Sequence, residues 1–409
     1  MKLALLGDDD EAIALVRAAI DSGRHELVWA GDFADRRRIA EILQEALRVE
    51  RDDWESLAGG AADAVIVATS RDAQRRADQL RLLVQSGVAV CVTNCGALGP
   101  IVCYELDMNR AETQTPLVPF LADRRHPAIE RIAEWITEPG NHPVLGTIQQ
   151  IVIERGADDK RAASVLQGLA RDVDLVRAIL GDVTRISAAG VTPGDASPER
   201  DFSALNVYLA TQRPMTVRWA IDRQLPPRRG RITLDGELGR AVVSIDGDCW
   251  TLSIDPRGSD SPAGKESFAP WRPADLVLAN LEAAIDGRDF APGWLDAARA
   301  ADVADMVEVS LRRGRTIDMY NETYSEQGTF KGVMGIAGCG LILLALFTLL
   351  GAAIGQKTAR FLRLEWLAAA FGHWHYGLLA VLVAFLLLQL LRFVVPATPK
   401  PPASDEKSP

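Results

Sequence analysis

Three successive carboxylates, Asp8, Asp9 and Asp10, follow a short apolar run from Leu3 to Leu6 and the glycine that ends it, Gly7. Residues 11–20 then place Ile13, Val16, Ala19 and Ile20 at helical spacing. Strand, glycine turn and helix is the arrangement that cradles a diphosphate, using backbone N–H groups and the positive end of the helix. The chemistry it would serve is cofactor binding, and its fingerprint is G-x-G-x-x-G. Only the first glycine is present, as Gly7; Asp9 and Ala12 stand at the second and third positions. The second glycine is what lets the backbone approach a pyrophosphate closely. A carboxylate at that point blocks the approach and adds repulsion, about 3 kcal/mol per pair of unit charges at ~5 Å and an effective dielectric of about 20. The same residues also suit a plain structural role. Asp and Glu in a first helical turn accept from its free N–H groups and complement the helix dipole. On that view the helix fills its anion site with its own side chains.

The elements that must position this turn alternate in type. The segment 26–30 reads as a second strand running into Gly31 and Asp32, and 63–69 as a buried β-branched strand ending at Thr69. An amphipathic helix is expected over 71–86, with further strands at 88–93 and 117–121. This rhythm predicts a doubly wound, parallel, Rossmann-like sheet over residues 1–125. Asp32 falls where an acid would bind a ribose, although a surface-loop aspartate would look the same. The positions that would touch a cofactor are thus Gly7, Asp9, Ala12, Asp32 and Thr69. From His126 the texture changes. Helices are expected at 127–137 and 161–180, and strands at 148–154, 185–191, 204–211 and 215–221. A meander follows, with Asp235-Gly236 and Asp246-Gly247 as its tight-turn pairs. Helices return at 273–285 and 294–313. The pattern predicts an α+β second domain, 126–317, built on a largely antiparallel sheet.

A chain of 409 residues has room for two or three domains, and 48% hydrophobic with 24% charged residues marks its bulk as globular. The net charge of -10 argues against a nucleic-acid partner. Cys91, Cys95, Cys103, Cys249 and Cys339 include no CxxC pair, so no metal site is expected; they suit a reducing compartment. Lys2 is followed by only four apolar residues before the acidic run, which gives no export signal. After a polar linker at 318–331, two segments, 332–355 and 376–396, are nearly uncharged. The first, as a helix, would be about 36 Å long, enough to cross a bilayer with tilt. The expectation is a two-span transmembrane hairpin with both termini in the cytoplasm, from the balance of flanking cations. Between the spans, 357–366 reads as a basic amphipathic stretch, and His373 and His375 flank Trp374 as an interface anchor or, less simply, a metal pair. The proline-rich tail, 397–409, is expected to be disordered.

Residues 1–318 resemble the glucose-fructose oxidoreductase / inositol dehydrogenase / MocA (Gfo/Idh/MocA) family. The carriers are the 63–69 strand, helix 71–86 with Ser86-Gly87, Arg125-His126-Pro127-Ala128, Leu145-Gly146, Asp174-Leu175 through Leu180-Gly181, and a closing helix with Ser310 and Gly314-Arg315. The resemblance implies NAD or NADP, a sugar-like or polyol carbonyl substrate, and pairing of subunits through the second-domain sheet. It also implies a catalytic lysine in a Glu-Lys-Pro turn and an aspartate four residues before a histidine. In this chain those positions read Asn94, Gln167 and Arg171; Asp174 remains just beyond, suited to helix packing or a salt bridge. Asn94 and Gln167 cannot titrate, and arginine keeps its proton. Losing one such group typically costs about 10² to 10⁴-fold in rate. The sequence therefore predicts a catalytically degenerate, membrane-anchored relative that acts as a binding or scaffolding module, with no cofactor. The alternatives are an active NAD(P)-dependent oxidoreductase drawing proton transfer from Tyr104 or Lys160, and a ligand sensor signalling through the hairpin. Its partners would be the lipid bilayer, a second copy of the chain or a membrane protein.

Overall fold

The computed structural model describes residues 1–319, apart from 71, 138–141, 158, 192–200, 203, 223, 227–228 and 258–263, together with Phe347 and Ile354. The chain divides into two compact units, Met1–Asn321 and Glu322–Pro409. The expected spans, apart from Phe347 and Ile354, the stretch between them, the tail and most of the linker lie outside the described residues. Among the described residues no helix is long and apolar enough to cross a membrane.

The first unit opens with β1 (Lys2–Leu6), α1 (Asp10–Asp21) and β2 (Glu26–Gly31). Two short helices follow, α2 (Arg36–Ile42) and α3 (Gln44–Arg48), then β3 (Ala64–Val67), α4 (Ala73–Gln85), β4 (Ala89–Val92), α5 (Pro100–Thr113) and β5 (Leu117–Pro119). The five strands pair in parallel in the order β2-β1-β3-β4-β5. Beyond β2 the chain makes a single parallel bridge, Ala30 to Glu50, so a sixth strand is reduced to one contact. β3 and β4 are buried on both faces, as a parallel sheet with helices on each side requires. The sheet does what the alternation predicted. The sequence reading missed α2, α3 and α5. The last begins at Pro100 but leaves Ile101 and Met108 exposed, which blurs its apolar stripe.

The second sheet is built from β6 (Ile148–Arg155), β7 (Val183–Val191), β8 (Ala204–Thr211), β9 (Thr216–Ile221), β10 (Arg229–Gly236), β11 (Gly239–Asp246), β12 (Cys249–Pro256) and β13 (Gly264–Ser267). With β14 (Ile317–Asp318) it has nine strands among the described residues, in the order β13-β12-β11-β10-β6-β9-β8-β7-β14. Only β6 and β9 pair in parallel; the other neighbours are antiparallel. α6 (Pro127–Thr137) and α7 (Ala162–Leu180) lie on its apolar face. Gly181, at φ +82°, stops α7 where a side chain would be strained. One expected turn moves. Asp235 and Gly236 belong to the end of β10, and Glu237-Leu238 make the connection to β11. Gly236 is needed for another reason: a Cβ there would sit 2.2 Å from the Leu145 carbonyl oxygen.

Two final helices tie the sheets together. α8 (Pro273–Ile285) returns to the first sheet and shares a core with α1 through Val277, Leu278 and Leu281. α9 (Trp294–Arg313) serves both cores. Its early residues Trp294, Ala297, Ala298 and Ala301 pack with α4 and α5, and Val303, Ala304 and Val307 pack beneath the second sheet. The Trp294 indole donates to the Cys103 carbonyl at 2.8 Å. These contacts set α7 directly over the strand ends of the first sheet.

Candidate functional site

At the carboxyl end of β1 the acidic run divides into three separate tasks. Asp8 is buried and turned toward the second strand, where its two oxygens accept from the Ala34 and Asp35 N–H groups at 3.0 and 2.7 Å. Asp10 pairs with Arg38. Asp9 ties the helix N-terminus to the neighbouring strand ends. It is the N-cap of α1, and its Oδ1 accepts from the Ala12 N–H at 2.9 Å. Its Oδ2 accepts from the Thr69 N–H at 2.8 Å, the Thr69 hydroxyl at 3.2 Å and the Thr93 hydroxyl at 2.6 Å. Thr69 and Thr93 stand at the ends of β3 and β4, so one carboxylate joins a helix N-terminus to two strand ends. This is the crevice between β1 and β3 where the strand order reverses, the place where open α/β sheets bind ligands.

Gly7, at φ +99°, completes the turn; a Cβ would meet Ala68 Cβ at 2.9 Å and Arg76 Nη2 at 3.0 Å. The sequence reading passed over Arg76, which is 2% exposed and lies beneath this turn. Its Nη2 donates to Asp32 Oδ2 at 2.9 Å and its Nη1 to Gln79 at 2.9 Å. Burial lowers the Arg76 pKa, with Asp32 acting in the opposite sense. Arg75 also reaches Asp32, at 3.3 Å. Asp32 itself holds a left-handed backbone, φ +57°. Asp32 is therefore engaged by two guanidiniums.

Asn94, Gln167 and Arg171 lie together at the same crevice. Asn94 follows β4, and its Nδ2 donates to Gln167 Oε1 on α7 at 3.0 Å. One turn further along α7, Arg171 Nη2 lies 2.6 Å from Glu11 Oε1 in the first turn of α1. Burial acts to lower the Arg171 pKa, but the Glu11 charge and hydrogen bond outweigh it and hold it above the ordinary value. A Cβ on Gly96 would come within 3.1 Å of Ala170 Cβ, so the loop after β4 lies close against α7. The void enclosed between them is about 10 Å³, room for a single water. Tyr104 is partly buried on α5, and Lys160 precedes α7, exposed; neither lines this void. Asp174 is buried and accepts two bonds from Arg124, at 3.0 and 2.5 Å. Burial pushes its pKa up to about 6, against the pull of Arg124. Its role is the ion pair. His126 and His142 take part in local packing and hydrogen bonding. His126 is stacked on Trp250, with ring centroids 4.0 Å apart, and the His142 Nδ1 accepts from the Val144 and Leu145 N–H groups.

A dinucleotide does not fit these residues as they stand. Its pyrophosphate would need the N–H and hydroxyl groups that Asp9 holds, and its ribose would need Asp32. Cys91, Cys95 and Cys103 are buried free thiols with pKa values raised by desolvation, that of Cys103 to about 12, and Cys249 is exposed. Among the described residues no cluster could hold a metal ion.

No family model matches the chain, and no curated protein matches it in sequence. Solved structures do, and they are oxidoreductases of the Gfo/Idh/MocA type. UDP-N-acetylglucosamine 3-dehydrogenase from Acidithiobacillus ferrooxidans aligns with 76% of this chain and 98% of its own, at a TM-score of 0.58 and 17% identity. Biliverdin reductase from Synechocystis, in complex with biliverdin and NADP+, covers 76% and 99% at 0.61 and 15%. An oxidoreductase from Agrobacterium radiobacter, in complex with NAD+, L-tartaric acid and magnesium, covers 78% and 98% at 0.60 and 16%. The chain thus has the two-sheet fold of these enzymes.

Proposed function

We propose that this chain is a catalytically degenerate relative of the NAD(P)-dependent oxidoreductases whose fold it shares, anchored in a membrane and working as a binding or scaffolding module. The observation that carries this reading is the Asp9 carboxylate, whose bonds to Ala12, Thr69 and Thr93 fill the position of a cofactor diphosphate. The mutual bonds of Asn94 with Gln167 and of Arg171 with Glu11 support it, because two amides and a guanidinium held by a carboxylate are poor proton carriers. Titrating the full chain calorimetrically with NADH and NADPH tests the reading. The expected result is no saturable heat into the millimolar range; micromolar binding of either would remove its main support.

The anchor rests on the apolar segments 332–355 and 376–396. The full chain should sediment with membranes and resist carbonate extraction, and a chain ending at residue 331 should not. Recovery of the full chain in the soluble fraction would count against the anchor alone. A working oxidoreductase is the second reading, favoured by the NAD+ and NADP+ held in the neighbouring structures. It requires turnover at the reduced-nicotinamide absorbance with some polyol or sugar substrate.

A further inference from the structure

The closing residues of the first unit form a tied corner. Ser310, fully buried on α9, donates from its hydroxyl to the Arg315 carbonyl at 2.8 Å and accepts from the Ala188 N–H on β7 at 2.9 Å. Gly314, at φ +58°, lets the chain turn off the helix. β14 then pairs antiparallel with β7, Asp318 opposite Arg185, and the Met319 N–H donates to the Thr184 carbonyl at 2.8 Å. One buried hydroxyl and one short strand pair thus fix where the end of α9 and β7 meet.

Four arginines gather on this corner. Arg312 and Arg313 end α9, Arg315 follows it and Arg185 stands on β7, and all four are exposed. Among the described residues none of them makes a side-chain hydrogen bond or ion pair. Arginines elsewhere in the unit hold carboxylates, as Arg124, Arg155 and Arg177 do. Asp318, opposite Arg185, and Glu308, one turn before Arg312, offset part of the charge. A helix C-terminus favours cations in its last turn, which accounts for Arg312 and Arg313. It does not account for Arg315 and Arg185, which lie outside the helix. The corner is also where the chain leaves toward its first apolar segment. Residues 320–331 separate Met319 from that segment, 332–355, a reach of about 20 Å as a flexible coil. Cations held that close to a bilayer are drawn to an anionic leaflet, and the planar guanidinium fork matches a phosphate.

We propose that this corner docks on anionic phospholipid headgroups, with Arg185, Arg312, Arg313 and Arg315 on their phosphates. The proposal rests on the membrane anchor proposed above, which supplies the proximity. It adds the headgroup chemistry and the face that meets it.

The test places the full chain in lipid nanodiscs of phosphatidylcholine, with and without phosphatidylserine. The readout is the rate of tryptic cleavage after Arg312, Arg313 and Arg315, relative to cleavage after the exposed Arg288. Arg288 precedes the other end of α9, about 30 Å along the helix, and so reports protease activity alone. Phosphatidylserine should slow the relative cleavage by about fivefold or more, the factor a single cation gains near an anionic leaflet. Salt at about 1 M, which shortens the screening length to about 3 Å, should restore it. Arg185→Gln leaves all three cleavage sites intact and should lose about fivefold of the protection, while Arg185→Lys should keep it. Equal relative rates in the two lipids, or full protection in Arg185→Gln, overturns the corner. Anchor and corner fail separately. A chain that inserts but shows no lipid dependence keeps the anchor alone. One that stays soluble, yet is protected when phosphatidylserine discs are added, keeps the corner alone.

Discussion

The carboxylate of Asp9 accepts from one helix N–H, one strand-end N–H and two hydroxyls, and no water-exposed alternative would serve all four. Asp9→Ala should therefore destabilise the first unit by about 2 kcal/mol, through a lost N-cap and orphaned threonine donors; urea unfolding followed by circular dichroism measures it. Asp32→Asn should cost about 3 kcal/mol, because it leaves the buried Arg76 guanidinium without its charge partner. Asparagine tolerates the left-handed backbone at that position, so the loss reports the charge and not strain. An unchanged midpoint would mean that Gln79 alone satisfies Arg76. Part of this was legible in the sequence. Gly7, Asp9 and Ala12 sit within one turn of each other, and their meaning is local. The bond from Thr93 crosses 84 residues, and the Arg171–Glu11 pair joins two helices of different sheets. Neither leaves a periodic trace.

At the scale of elements, the strand and helix runs that bury one clear face were readable, and those that do not were missed. β3 is apolar throughout, and α6, α8 and α9 end where their prolines, glycines and apolar faces end. α5 hid behind its exposed Ile101 and Met108. The Asp235-Gly236 pair looked like a turn because Asp-Gly usually is one. In the fold Gly236 admits the Leu145 carbonyl instead, at a register shift between β10 and β6. A glycine kept for close approach and one kept for a turn read alike in sequence. Gly96 makes the converse prediction. Its missing Cβ lets the loop after β4 meet Ala170 on α7, so Gly96→Val should overpack that contact and cost about 1 to 3 kcal/mol. The measurement is the urea midpoint, with Gly59→Val as the control, since nothing lies within 4 Å of a Cβ there. Equal effects at the two sites would deny the close contact.

Over the whole molecule, α9 joins the cores, and a chain of ion pairs reinforces the junction. Arg124 pairs with Asp174 and Asp296, and Arg177 with Asp296 and Asp182. Stability should also depend on acidity through His126. It is fully buried among Trp250, Phe268 and Trp271, and desolvation lowers its pKa from 6.5 to about 4. The unfolded chain then binds the proton first, so the contribution is complete above pH ~6.5 and is lost as pH falls toward 4. The shift corresponds to about 3 kcal/mol at most. Asp174 acts in the opposite sense, its stabilising effect being lost as pH rises from 3.8 toward about 6, so the His126 part must be isolated. Subtracting the pH profile of His126→Phe from that of the parent chain should leave a slope confined to the interval from 6.5 to 4; a flat difference would contradict it.

The two-sheet plan was legible because each sheet declares its own period, and the fold of the solved oxidoreductases agrees with it. Whether the crevice still takes a dinucleotide turns on one side chain. The decisive measurement is a calorimetric titration of NADH into the parent chain and into Asp9→Gly, at equal protein concentration and low salt. The parent should give no saturable heat into the millimolar range, and the glycine variant, with its helix N-terminus and threonines exposed, should bind more tightly than the parent. Micromolar binding by the parent chain, undiminished relative to the variant, would contradict the assignment of Asp9 as the occupant of the phosphate site.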